Sequence, residues 1–232
     1  MASVKFKDQL DAANKLIEIL PKKELNDAKT IVLCMSLESV ILTDVVCRGL
    51  NLSYEMLFSE PIPAPNNSEC DVAIVSETED IVLNDKLIKA FNISYDYIYG
   101  EAHRKYEEKI LKNVYKYRKG NLIGELKDKN ILLTDEGCGT GMTALICIKT
   151  LLDVKVKSIS YATPVIATDV FTNLNDMVDE IYTINKIVDF IDVDSYYEKK
   201  IEATSELIMS ILEESPHYLP LQKQQGDKNN AI

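Results

Sequence analysis

Residues Ile131 to Leu145 read ILLTDEGCGTGMTAL, an apolar run that ends at two adjacent carboxylic acids, Asp135 and Glu136, and enters a loop with three alternate glycines. Gly137, Gly139 and Gly141 let a backbone turn sharply and approach a ligand closely. The amides that open the following helix favour an anion. Several nucleotide-binding families share such a G-x-G-x-G loop. The lysine of a G-x-x-x-x-G-K-[ST] loop is missing, so a P-loop NTPase is excluded. Cys138 sits where helix-terminal amides could activate a thiol, but it reads more simply as a small loop residue. Ser36 and Ser39 could bind an anion, although helix capping explains them equally well.

The elements around this loop must hold it at an open edge of a sheet. "TIVLCM" (Thr30 to Met35) and "NILLT" (Asn130 to Thr134) are short continuous apolar runs, as expected of strands buried on both faces. "SYEMLF", "DVAIVS", "DIVL", "VKSISYATPV" and "DEIYTI" are the other expected strands, and "EPIPAPNN" reads as a loop fixed by its prolines. Phe6, Leu10, Ala13, Leu16, Ile17 and Leu20 fall at helical spacing until Pro21 stops the helix. Glu38 to Leu50 reads as a helix closed by Gly49, and Asn84 N-caps a short helix through Phe91. One long amphipathic helix is expected over Ser94 to Arg118, with Tyr95, Tyr99, Ala102, Tyr106, Ile110 and Tyr117 along a stripe suited to packing or to a dimer surface. Its Lys105, Lys109, Lys112 and Arg118 form a solvated face or reach a phosphate from a mobile arm. Further helices are expected over Gly141 to Leu152, Ala167 to Val178 and Ser195 to Glu213.

This alternation predicts an α/β fold, a mostly parallel twisted sheet with helices on both faces. It fits one domain over 1–214, with an N-terminal helical segment (1–29), the long helix or arm (94–118) and a frayed polar tail (215–232). In such a sheet, ligands sit at the carboxyl ends of the strands, where the loop from Asp135 to Thr143 lies.

Composition narrows the partners. The chain has 232 residues, 46% of them apolar, and carries 26 basic against 37 acidic residues, a formal net charge of −11. Nucleic acid and anionic membranes call for a basic face, so neither is an expected partner. The apolar runs fall short of the roughly 20 residues of a membrane span, and the first residues resemble neither a signal nor a transit peptide. The five cysteines are odd in number, no C-x-x-C occurs, and His103 and His217 stand alone. Disulfides and a zinc site are therefore not expected, and a reducing cytoplasm fits the chain.

Two families share the loop. Asp-x-Gly-Cys-Gly-Thr-Gly resembles the first motif of S-adenosylmethionine-dependent methyltransferases. That motif normally opens its sheet, whereas here it begins near residue 131. The next strand, "SISYATPVIA", also ends without the acid that would hold the cofactor ribose. The acidic pair, three residues and then Thr-Gly-x-Thr resemble the ribose-phosphate signature of type I phosphoribosyltransferases, in particular a branch of predicted bacterial members. "YEEKILKNVYKYRKG" and "ISYATPVIATDVFTNLNDMVDEIYTI" extend the likeness loosely from about residue 30 to residue 200.

The resemblance implies that Asp135 and Glu136 accept the ribose 2- and 3-hydroxyls and stabilise charge at the anomeric carbon. Gly137, Cys138, Gly139, Thr140, Gly141, Met142 and Thr143 would then cradle the 5-phosphate. The implied function is pentosyl transfer in nucleotide metabolism from 5-phosphoribosyl diphosphate, or binding of a nucleoside monophosphate. Mg²⁺ would be held mainly by the substrate diphosphate rather than by protein ligands, and a homodimer is expected. Three departures matter. The pyrophosphate loop, Ser36, Leu37, Glu38 and Ser39, lacks the family's Arg-Gly-Gly. Glu60 stands where a cation is usual. Gly139 replaces the aspartate that contacts the base in purine-salvage relatives. Reduced activity, or a non-catalytic protein that senses ribose phosphates, is the alternative alongside the methyltransferase.

Overall fold

The computed structural model describes residues 5–199 and 202–222. Its strands are β1 (Ile31–Cys34), β2 (Ser53–Met56), β3 (Ser59–Ala64), β4 (Asn67–Ser76), β5 (Ile81–Leu83), β6 (Asn130–Thr134), β7 (Ser158–Ala167) and β8 (Glu180–Ile187). Five of them form a parallel sheet in the order β2-β1-β6-β7-β8, and β3-β4-β5 form a small antiparallel sheet. The helices are α1 (Gln9–Ile19), α2 (Lys22–Asp27), α3 (Val40–Leu50), α4 (Asp85–Ala90), α5 (Tyr95–Lys105), α6 (Leu111–Arg118), α7 (Met142–Val154), α8 (Thr168–Asn175) and α9 (Ser205–Glu214). A π-helical turn, Tyr106–Ile110, joins α5 to α6 into the expected long helix.

Alternation along the central strands divides the core in two. Val32 and Leu132 point to one side, where Leu16 of α1 and Val46 of α3 meet them. Leu33, Ile131 and Leu133 point to the other, against Ile148 and Leu151 of α7. All are fully buried, and each such side chain stabilises the fold by about 1.5–3 kcal/mol. Both faces of β1 and β6 are thereby covered, which accounts for their unbroken apolar runs.

Several expectations change. "EPIPAPNN" contributes strand β3 rather than a loop. Pro61 and Pro63 are tolerated because β3 is an edge strand, and the pairing slips at Pro63. Gly49 does not close α3; Asn51, left-handed at φ 58°, is the C-cap. A Cβ on Gly49 would lie 2.5 Å from Ile17 Cδ1, so this glycine lets α1 and α3 approach. Phe6 precedes α1, whose N-cap is Asp8, and bridges to Tyr197 instead.

The closing helix is shorter than expected and starts after Thr204, whose hydroxyl caps it. Residues 200–201 within the expected helix lie outside the described residues, as do 1–4 and 223–232. The start of the tail is docked rather than frayed. Ser215 donates to Asp44, Tyr54 N–H donates to the His217 carbonyl, and the buried Tyr218 hydroxyl donates to the Tyr117 carbonyl at 3.1 Å. A periodicity search misses such a segment because individual side chains and backbone bonds, not a helical face, anchor it.

Candidate active site

β6 ends at Thr134, and the chain then leaves the sheet at its carboxyl edge. The loop is pinned there by backbone bonds to the neighbouring strand: Cys138 N–H donates to the Val165 carbonyl and Ala167 N–H to the Cys138 carbonyl, both at 2.9 Å. Each glycine of the loop has a steric reason to be there. A Cβ at Gly137 would meet Val193 at 2.8 Å, one at Gly139 would meet Phe190 at 2.9 Å, and one at Gly141 would meet Val170 at 2.7 Å. Gly141 is also left-handed, at φ 74°, and turns the chain into α7. The first amides of that helix have no intrahelical partner, and they open onto a cleft of about 690 Å³. That volume is typical of small-molecule sites, which run to about 300–1,000 Å³.

The cleft brings together most of the residues singled out in the sequence. Asp135 to Thr143 line it without interruption, and Ser36 and Glu38 reach it from the loop after β1. Leu37 and Ser39 are not among its lining residues. Ser39 is fully buried behind it, with its hydroxyl 3.0 Å from the Ser36 hydroxyl. Asp135 is buried, and loss of solvent together with the neighbouring Glu136 charge pushes its carboxyl well above the usual range. Burial raises Glu136 as well. Thr140 Oγ1 lies 3.4 Å from the Met142 amide, at the mouth of the helix. Cys138 is buried, and burial lifts its thiol to about 12, so it has the character of a packed loop residue rather than a nucleophile.

The opposite wall was not foreseen. Val188, Phe190, Ile191, Asp192 and Val193, which follow β8, close the cleft together with Asp169 from the first turn of α8. Val188 and Ile191 expose 81% and 77% of their surface. The signal was available: these residues follow the strand next to β7, at the same carboxyl edge where ligands bind in parallel sheets. Asp169 also bears on the methyltransferase reading. No acid ends β7 itself, but this one stands two positions beyond its last residue and faces the same cleft.

The cations lie elsewhere. Among the described residues none that lines the cleft is Lys, Arg or His, whereas Glu38, Asp135, Glu136, Asp169 and Asp192 are acids. Arg118 is not on a solvated face or a mobile arm. It is fully buried, paired with Glu77 and stacked 5.0 Å from the Phe58 ring. Lys105 approaches Glu60 at 3.8 Å. On the long helix Tyr95 and Tyr99 are exposed while Ala102, Ile110 and Tyr117 are buried, so the expected stripe divides between surface and core.

The parallel sheet with its β6 loop, flanked by helices, is an α/β fold. No protein-family model matches the sequence, and no curated protein matches it. Among solved structures, the chain is similar to TT1426 from Thermus thermophilus, at 24% identity over 91% of this chain and 99% of that one, with a TM-score of 0.73. Looser superpositions are found on the hypoxanthine-guanine phosphoribosyltransferase of L. donovani (12% identity, 78% and 82% covered, TM-score 0.45) and on the purine phosphoribosyltransferase of Pyrococcus horikoshii (13%, 78% and 93%, TM-score 0.42). Among the described residues no helix is long and apolar enough to cross a membrane.

Proposed function

We propose that the cleft binds a ribose 5-phosphate group, as 5-phosphoribosyl diphosphate or as a nucleoside monophosphate. The observation that carries this reading is the placement of Asp135 and Glu136 in the same cleft as the open N-terminus of α7. Carboxyl groups suit the ribose hydroxyls; amides and the Thr140 and Thr143 hydroxyls suit the 5-phosphate. With a diphosphate bound, the reaction class is pentosyl transfer, and the acid pair stabilises positive charge at the anomeric carbon. Mg²⁺ would enter with the diphosphate and neutralise charge on the leaving group. The diphosphate oxygens would be its main ligands.

The cleft's charge favours the monophosphate. Glu38 lies where a leaving diphosphate would need cations or amides, and among the described residues none that lines the cleft is basic. Charge-assisted bonds to phosphate contribute about 1.5–3 kcal/mol each, so two missing ones amount to a hundredfold or more in affinity. Titrations with ribose 5-phosphate and with 5-phosphoribosyl diphosphate, each with and without Mg²⁺, test this. Tighter binding of ribose 5-phosphate is expected. Brisk pyrophosphate release with a common nucleobase would contradict the monophosphate preference and indicate an ordinary salvage enzyme.

Asp169 gives a second reading specific support. An acid beyond the strand that follows a glycine loop is where a methyltransferase holds its cofactor ribose, so S-adenosylmethionine is the competing ligand.

A further inference from the structure

Ser36 stands in the loop where a phosphoribosyltransferase would hold pyrophosphate, yet its hydroxyl is turned onto the acid pair. Ser36 Oγ lies 2.9 Å from Glu136 Oε2 and 3.3 Å from Asp135 Oδ1. The oxygen is fixed from behind: the Ser39 amide donates to it at 3.0 Å, and Ser39 Oγ lies 3.0 Å away. Ser39 Oγ can send its own proton to the Ser36 carbonyl at 3.1 Å, and it meets Cys34 Sγ at 3.2 Å. With Ser39 Oγ donating elsewhere, the one Ser36 hydroxyl proton goes to its nearest acceptor, Glu136 Oε2.

Two adjacent carboxyls withdrawn from solvent resist ionising together and tend to share a proton. We propose that Ser36 is a positioning residue that places this proton, leaving Glu136 ionised to accept from a ligand hydroxyl and Asp135 protonated to donate to one. Burial raises both acids, and the environment favours the same order, first through the bond between the two carboxyls, which raises Asp135 and lowers Glu136, and then through Ser36. Asp135 is the more deeply buried acid, and its neighbours include the neutral Cys34, Cys138 and Tyr161. Near Glu136 stand Ser36, the Glu38 carboxylate and the buried Tyr197, whose hydroxyl is committed to the Glu136 carbonyl at 2.6 Å. Glu38 opposes ionisation of Glu136, which is why a dedicated donor is needed there. Such a pair offers one acceptor and one donor to a vicinal diol, whereas two carboxylates would offer acceptors alone.

This inference rests on the ribose-binding reading for its purpose but not for its test, which uses ligand-free protein. The side-chain carboxyl carbons of Asp135 and Glu136 are followed by NMR as pH is raised in the wild type, Ser36→Ala and Ser36→Thr. Glu136 should lose its proton at lower pH than Asp135. Ser36→Ala should move the Glu136 midpoint upward toward that of Asp135, and Ser36→Thr, which keeps the hydroxyl, should restore it. An unmoved Glu136 midpoint in Ser36→Ala, or an Asp135 that ionises first in the wild type, overturns the proposal. Should the alanine variant not fold, the order of ionisation in the wild type and Ser36→Thr decides alone. A failure of ribose 5-phosphate to bind the wild type in a separate titration removes the ribose reading and leaves this result standing.

Discussion

Tyr197 donates its phenolic hydroxyl to the backbone carbonyl of Glu136 at 2.6 Å. The bond joins residues far apart in the chain and holds the acid pair from below. Tyr197 is held in turn by Phe6, whose ring centroid lies 5.6 Å away, and by the bond from the Glu198 amide to the Phe6 carbonyl at 2.8 Å. The segment before α1 therefore supports the cleft without entering it. Tyr197→Phe should lower stability by about 0.5–1.5 kcal/mol, the net worth of one hydrogen bond. It should weaken ligand binding as well, because Glu136 loses its anchor. Denaturant unfolding and a ligand titration measure the two effects, and unchanged affinity would show that the loop needs no such tether.

Asp135 makes stability depend on pH. Its folded carboxyl is raised by burial and by Glu136, so the unfolded chain gives up this proton at lower pH than the folded one. The favourable contribution is complete below the ordinary carboxylate range and is lost as pH rises toward the folded value. Asp135→Asn removes that loss. Its melting temperature should exceed the wild type's at neutral pH, and the difference should close on acidification to about pH 4. A variant less stable than the wild type at neutral pH would show that the Asp135 carboxyl is needed for folding.

Gly141 is the glycine the loop can least replace. It is left-handed, at φ 74°, and an added Cβ would approach Val170 Cγ1 to 2.7 Å. Gly141→Ala should cost about 1–2 kcal/mol from backbone conformation alone, and more from the contact with Val170. Thermal unfolding that matches the wild type would mean that the turn relaxes freely.

Thr140 tests the proposed phosphate end of the cleft. Thr140→Val should weaken binding of ribose 5-phosphate by about 1–3 kcal/mol, the cost of one unsatisfied charged acceptor. Folding should barely change, since the threonine lies on the loop and its hydroxyl bond to the Met142 amide is long, at 3.4 Å. Unfolding of the variant with unchanged affinity would make Thr140 structural.

Legibility in the sequence followed how each element is stabilised. β1 and β6 are buried on both faces and show unbroken apolar runs, and the β6 loop shows its glycines because three close contacts and one left-handed turn require them. β3 was hidden because two prolines look like a loop, although the free side of an edge strand accepts them. The wall from Val188 to Val193 was hidden because Asp189 and Asp192 interrupt its apolar residues, a pattern with no single buried face. Ser36 was visible as a residue but not in its role, since its contact with Glu136 joins positions 100 apart in the chain.

The central claim is that the cleft recognises ribose 5-phosphate, and calorimetric titration of the wild type with ribose 5-phosphate and with S-adenosylmethionine tests it most directly. The cleft brings two adjacent acids together with an open helix N-terminus, which favours anions. Ribose 5-phosphate should therefore bind, with affinity reduced in Thr140→Val, and S-adenosylmethionine should give no heat of binding. Tight binding of S-adenosylmethionine alone would contradict the account and assign Asp135, Glu136 and Asp169 to a methyl donor's cofactor site.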